Sequence, residues 1–182
     1  MKLNIGSGEN KVEGFVNIDM EEGCRPDLLL DIRKERFPYS DNSVEEAWMT
    51  HALEHIERRY WDQLFMEVKR VLIINGKFVL AYPEFSKCAT NFLNNKNNNR
   101  TFWAATLFGL QRWPGDYHVT PMDSSELATI LESYGFYRIQ WVPESGEEFN
   151  SVMVAFSDPT PMSRELLLAK ELGLNTKEAA TL

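Results

Sequence analysis

The sequence predicts a single α/β domain built on a mostly parallel sheet. Three observations lead there. Short apolar runs ending in glycine or aspartate recur through the first 82 residues. An amphipathic helical stripe separates the fourth run from the fifth. The last two runs are joined by a connection too short for a crossover helix.

The elements follow in order. Residues 2–5 (KLNI) form a strand stopped by Gly6-Ser7-Gly8, and residues 15–18 (FVNI) form a second ending at Asp19. Residues 28–30 (LLL) form a third, ending at Asp31, and residues 44–50 (VEEAWMT) a fourth. Residues 77–82 (KFVLAY) form a fifth, started by Asn75-Gly76 and stopped by Pro83. Apolar runs of this kind, without polar alternation, suit strands covered on both faces. Only ten residues separate Gly8 from Asp19, below the dozen or so a helical crossover needs, so the first crossover is a loop or a single turn.

Trp61, Leu64, Phe65, Val68, Val71 and Leu72 recur at steps of three and four and predict an amphipathic helix. NNKNNN at 94–99 reads as a solvated loop, and residues 99–109 as an aromatic-rich helix. Asp123 and Glu126 form a capping-box-like start, Leu127, Ile130, Leu131 and Tyr134 the stripe, and Gly135 the stop. Phe136–Val142 and Ser151–Phe156 pair as an antiparallel hairpin across PESGEEFN. The expected division is a domain over 1–158 and a helical tail over 159–182. The tail has Ser163 as N-cap, Met162 with Leu167 as a staple and Gly173 as stop. This tail, or the aromatic helix, is the candidate surface for pairing two chains.

Composition narrows the function. A net charge of −8 over 182 residues argues against nonspecific binding to a nucleic-acid backbone, so DNA is not expected as a partner. Cys24 and Cys88 form no CxxC pair, which leaves no cysteine zinc knuckle and suits reduced thiols. No apolar run approaches the ~20 residues needed to span a bilayer. MKLNIGSG reaches glycine too early for a secretory segment. A cytoplasmic location without membrane contact is the expectation.

The chemistry gathers at the strand ends. Gly6 and Gly8 let the backbone turn sharply and approach a ligand with no Cβ in the way. At the carboxyl end of a central strand this is the ligand crevice of an open α/β sheet. Asp19 can accept hydrogen bonds from both ribose hydroxyls of an adenosine-containing ligand. Asp31 followed by Ile32 suits adenine, with an acceptor for the exocyclic amine beside an apolar wall. Either aspartate alone is more often a turn residue; three such features on successive strands point to a site. A dinucleotide fingerprint wants a third glycine where Lys11 stands, and the helix that would hold a pyrophosphate is missing. Both disfavour NAD and FAD. S-adenosylmethionine has no phosphate and tolerates that loss.

The order LNIGSG…VNID…LLLDI…VEEAWMTHALEHI…GKFVLAYP resembles a class I S-adenosylmethionine-dependent methyltransferase. It most resembles the small predicted methyltransferases with a shortened first crossover. FGLQRWPGDYHVTPMDSSELATILESYGF at 108–136 resembles the segment after the sheet in the same group. The resemblance covers about residues 2–157. It implies a Rossmann-like three-layer sandwich and S-adenosyl-L-methionine as cofactor. It places Gly6, Ser7 and Gly8 at the methionine and ribose part of the cofactor, Asp19 at the ribose, and Asp31 with Ile32 at the adenine. Thr50 and His51 line the space below the methyl group, and Ala52–Ile56 begin the next helix. Asn4 stands where many members have an aspartate that holds the loop or the cofactor amino group.

An oxygen or nitrogen acceptor needs a general base near neutral pKa, and histidine fits. The chain has three: His51, His55 and His118. His51, at the end of the fourth strand, and His118, in GDYHVT, are the candidate bases, with a structural or substrate-orienting role as the alternative for each. Trp113, Asp116 and Tyr117 are neighbours of His118 in sequence. HALEH resembles a zinc helix only in spacing, lacks the H-E-x-x-H pattern, and no further ligands are evident, so no metal is expected. His55 reads as a residue that caps or packs the helix start. YPEF at 82–85 resembles the aromatic motif of amino-directed DNA methyltransferases but follows the fifth strand, whereas that motif ends the fourth.

The expected activity is methyl transfer to an O or N atom of a small-molecule or saccharide-like acceptor. One rival is a non-catalytic S-adenosylmethionine-binding regulatory module, kept open by Asn4 and the short crossover. A second is a nicotinamide-dependent oxidoreductase, against which Lys11 counts.

Overall fold

The computed structural model describes residues 1–142 and 149–157. The tail at 159–182 and the hairpin connection at 143–148 lie outside the described residues. Seven strands form one sheet: β1 (Lys2–Ile5), β2 (Val16–Asp19), β3 (Leu28–Leu29), β4 (Val44–Thr50), β5 (Leu72–Pro83), β6 (Phe136–Val142) and β7 (Asn150–Ser157). Their order is β3-β2-β1-β4-β5-β7-β6. Strands β1 to β5 run parallel, and β7 is antiparallel to both β5 and β6. The chain leaves β1 toward β2 and β3, then returns on the other side of β1 as β4. That reversal places the topological switch, and so the ligand crevice, at the carboxyl ends of β1 and β4.

The helices are α1 (Trp61–Val71), α2 (Phe85–Leu93), α3 (Arg100–Phe108) and α4 (Ser124–Ser133). The α1 stripe is fully used: Trp61, Leu64, Phe65, Val68 and Val71 are at most 4 % exposed. The Phe65 ring lies 5.5 Å from Trp61, 6.1 Å from Phe78 of β5 and 5.3 Å from Tyr134 after α4. One aromatic cluster thus ties α1 and α4 to the same face of the sheet. Each such ring contributes roughly 1.5–3 kcal/mol by burial, and each pair a further ~0.5–1.5 kcal/mol. Asp123 caps α4 through Ser125 N–H (3.0 Å), and Gly135, at φ +81°, ends the turn after it. Glu126 does not close a capping box. It forms a bidentate pair with Arg58 at 2.6 and 2.7 Å.

The first crossover contains no helix, as its length requires. Two buried amides replace the missing backbone order. Asn4 Nδ2 donates to Asn17 Oδ1 (2.9 Å) and to the carbonyl of Asn10 (3.0 Å). Asn17 Oδ1 also accepts from Val12 N–H (2.8 Å), and Asn17 Nδ2 donates to Asp27 (2.7 Å). Phe15 from this loop lies 4.7 Å from Trp48 of β4.

Two elements differ from expectation. Ala52–Ile56 does not begin a helix: Leu53–His55 and Arg58–Tyr60 are separate 3₁₀ turns, and α1 starts at Trp61. The carbonyls a helix would use are taken from elsewhere in the chain. Val119 and Thr120 donate their N–H groups to Glu54 O (2.9 and 3.2 Å), and Thr120 Oγ1 and Trp61 Nε1 donate to Ile56 O. Strand β5 begins at Leu72 rather than Lys77, because Val44 pairs with Leu72 and Glu46 with Lys77, leaving Asn75-Gly76 in a bulge within the strand.

Candidate functional site

The glycine loop leaves β1 and is tied at once to β2. Gly6 and Ser7 N–H both donate to the Ile18 carbonyl, at 2.8 and 3.0 Å. Gly8 N–H donates to Asp19 Oδ2 at 2.7 Å, and Glu21 N–H to Asp19 Oδ1 at 2.9 Å. Asp19 therefore sits beside the loop at the carboxyl edge, where its sequence position put it. The two glycines serve different needs. Gly6 has φ +68°, and a Cβ there would stand 2.5 Å from Ala52 Cβ, so it is required by the close approach of the loop to the end of β4. Gly8 has φ +51°, and a Cβ there would meet no protein atom within 4 Å. It faces open space above the switch point. The residues present suit an adenosine-bearing ligand: open space with no Cβ at Gly8 and the Asp19 carboxylate at its side.

Asn4 is 4 % exposed, and its amide donates to Asn10 O of the loop and to Asn17 Oδ1 of β2, so it supports the cradle from beneath. Asn17, which the sequence reading passed over, is the hub of that support. Asp31 lies two residues beyond β3 and its carboxylate is ion-paired: Arg33 Nε and Nη2 donate at 2.8 and 2.9 Å, and Lys34 Nζ lies at 3.2 Å. The Arg33 guanidinium holds its pKa well below the usual carboxylate range, against the upward push of burial. Ile32 is half-buried and packs on the core. An exocyclic amine there would share the carboxylate with this ion pair.

Thr50 and His51 close β4. His51 takes φ +51°, an uncommon backbone for a non-glycine residue, and its N–H donates to Ala81 O at 2.8 Å. Its Nδ1 stands 3.3 Å from Glu54 Oε1, and its Nε2 receives the Asn150 amide at 3.4 Å. An acceptor carboxylate on the Nδ1 side and an amide on the Nε2 side suit a proton on Nδ1. Glu54 is 2 % exposed and neither carboxylate oxygen has a hydrogen bond among the described residues.

All three histidines converge on Glu54. His118 is half-buried with Nδ1 3.1 Å from the Thr106 carbonyl, and burial pushes its pKa down. His55 Nδ1 lies 3.0 Å from the Tyr117 carbonyl, and the His55 and His118 rings meet edge to face at 4.9 Å. A cleft beside them is lined by Glu54, Phe85, Thr106, His118, Thr120 and Met122. The α2–α3 unit covers its outer side, with Phe102 and Trp103 packed on Phe149 at 5.5 and 5.7 Å. Trp113 and Tyr117 are 49 % and 43 % exposed, whereas Asp116 is buried and paired with Arg112. Tyr82 of YPEF is fully buried and bonded to Ser124, while Pro83 and Phe85 of the same motif line the cleft.

Among the described residues no helix is long and apolar enough to cross a membrane. The model of a methyltransferase domain family matches residues 15–80. No curated protein matches the sequence. Solved structures show the same fold. A SAM-dependent methyltransferase from Archaeoglobus fulgidus superposes with a TM-score of 0.62 at 14% identity, over 86% of this chain and 85% of that one. A SAM-dependent methyltransferase from Thermotoga maritima, described as a possible histamine N-methyltransferase, gives 0.59 at 15% identity over 86% and 81%. The CMeT domain of the citrinin polyketide synthase gives 0.59 at 14%, over 87% of this chain and 46% of that longer one.

Proposed function

We propose that this chain is a class I S-adenosylmethionine-dependent methyltransferase that moves the methyl group to an oxygen or nitrogen of a small-molecule or saccharide-like acceptor with His51 as general base. The observation that carries the reading is the meeting of the Gly6–Gly8 loop, Asp19 and His51 at the carboxyl ends of β1, β2 and β4. Gly8 and Asp19 would hold the ribose side of S-adenosylmethionine, and Thr50 and His51 would line the methyl side. When bound, S-adenosylmethionine supplies an activated methyl on a sulfonium, open to in-line displacement.

The chain's own residues then have two tasks. The loop and strand ends fix the geometry, which is the larger part of catalysis for an already activated donor. His51 would take the acceptor's proton at Nε2, in the place now filled by the Asn150 amide, while the Glu54 carboxylate, 3.3 Å from Nδ1, would stabilise the imidazolium that forms. The cleft lined by Glu54, the residue beside His51, and by His118 is walled by Phe85 and Met122 with Thr106 and Thr120, a mix suited to a small polar acceptor with an apolar face. The net charge of −8 favours a neutral or cationic acceptor over a polyanion.

The test is S-adenosylhomocysteine release across a panel of sugars, nucleotide sugars, amines and phenols, for wild type and His51→Ala. Turnover on a small hydroxyl or amine acceptor, lost in the variant with cofactor affinity retained, is expected. Cofactor binding with no turnover on any acceptor would instead favour a regulatory module, and unchanged turnover in His51→Ala would remove His51 as the base.

A further inference from the structure

We propose that Glu54, His55 and His118 form a binding site for one divalent first-row transition ion, such as Zn²⁺. The ligand atoms of these three residues lie within 4.8 Å of one another. Two imidazoles and one carboxylate are the donor set that zinc and non-haem iron take when a coordination position is left open.

Three features distinguish this cluster from a chance meeting of polar side chains. The first is tautomer control. His55 Nδ1 and His118 Nδ1 each face a backbone carbonyl, of Tyr117 and Thr106, at 3.0 and 3.1 Å. A carbonyl only accepts, so each Nδ1 carries the proton and each Nε2 presents its lone pair. This is the orientation that carbonyl partners impose on metal-bound histidines. The second is the carboxylate: Glu54 is 2 % exposed and neither oxygen has a hydrogen bond among the described residues, its near neighbour being His51 Nδ1 at 3.3 Å. A buried carboxylate is costly unless paired, and a cation on the side away from His51 supplies what is missing. The third is preorganisation. The donors come from two segments more than 60 residues apart, joined by Val119 and Thr120 N–H to Glu54 O and by Thr120 Oγ1 to Ile56 O.

A tetrahedral ion with ligands at about 2.1 Å sets donor atoms about 3.4 Å apart, so the cluster must draw in by at most ~1.4 Å, within reach of side-chain rotation. The remaining position faces the cleft lined by Thr106 and Thr120, where water or an acceptor oxygen would enter. The site does not depend on the identity of the methyl acceptor.

The experiment uses the full chain stripped with chelator and titrated with Co²⁺, read by visible ligand-field absorption, with Zn²⁺ competing in calorimetry. One equivalent of Co²⁺ should produce a band that Zn²⁺ abolishes. Affinity should fall at least tenfold in Glu54→Gln and in His118→Gln, and remain in Asp19→Ala. Near-ultraviolet circular dichroism checks that each variant is folded. His55→Gln, at a half-buried position, carries the same test if either buried variant unfolds. Substoichiometric binding, or binding indifferent to these substitutions in folded protein, overturns the proposal.

Discussion

Alanine at Gly8 and alanine at Gly6 separate ligand contact from loop packing. At Gly8, the left-handed φ of +51° costs an alanine about 1–2 kcal/mol, with no clash to add, because a Cβ meets no protein atom within 4 Å. For a chain of this size, that lowers the melting temperature by roughly 2–8 °C. The added methyl projects into the space proposed for the ligand. Overpacking there costs about 1–3 kcal/mol of binding, which is roughly 5- to 150-fold in Kd. At Gly6 the strain is similar, but the new Cβ would stand 2.5 Å from Ala52 Cβ, about an ångström inside normal contact. Strain and clash together cost about 2–5 kcal/mol of folding stability. Thermal unfolding and calorimetric titration with S-adenosylmethionine and S-adenosylhomocysteine measure both quantities. Gly8→Ala should lose affinity while staying folded, and Gly6→Ala should be the less stable of the two. A folded Gly8→Ala that binds like wild type would refute the placement of the ligand against this loop.

Other substitutions address the rest of the account. Asp19→Ala removes the acceptor for Gly8 and Glu21 N–H and for the ribose hydroxyls, and should weaken cofactor binding by about 1–3 kcal/mol in titration. His51→Ala should lower kcat by about 10²- to 10⁴-fold with cofactor Kd unchanged, measured by S-adenosylhomocysteine release. Glu67 on α1 is 9 % exposed and accepts from Arg36, Arg70 and Phe37 N–H, so Glu67→Gln should cost roughly 3 kcal/mol at neutral pH by chemical denaturation. Burial pushes the Glu67 pKa up, but Arg70 and Arg36 outweigh it and the net direction is down. A carboxylate with a lowered folded pKa stabilises above its unfolded value and loses that contribution as pH falls through the folded one. The gap between wild type and Glu67→Gln should therefore narrow below about pH 4, and a pH-independent gap would show the ion pairs are not its source.

Much of the fold was legible because its signals are local. Strands β1 and β2 end where Gly6 and Asp19 end the apolar runs, the α1 stripe is buried residue for residue, and the ten residues between Gly8 and Asp19 leave no room for a helix. Helix α2 was not read, although Phe85, Cys88 and Phe92 hold helical spacing, because it is short and only Cys88 is buried. The 3₁₀ turns at 53–60 were hidden for another reason: the residues favour a helix, and hydrogen bonds from Thr120 and Val119 override that preference. The same strap brings His118 to His55 and Glu54, so the convergence of the histidines was invisible to spacing alone. Asp31 was legible as a strand-end acid, but Arg33 and Lys34, two and three residues on, claim its carboxylate.

The account rests on an adenosine-bearing, phosphate-free ligand at the carboxyl ends of β1 and β2. Calorimetric titration of the purified chain with S-adenosylmethionine and, separately, with NAD⁺ tests this most directly. Stoichiometric binding of S-adenosylmethionine, weakened in Asp19→Ala, with no heat from NAD⁺, is the predicted result. Tight binding of NAD⁺ with none of S-adenosylmethionine would contradict it.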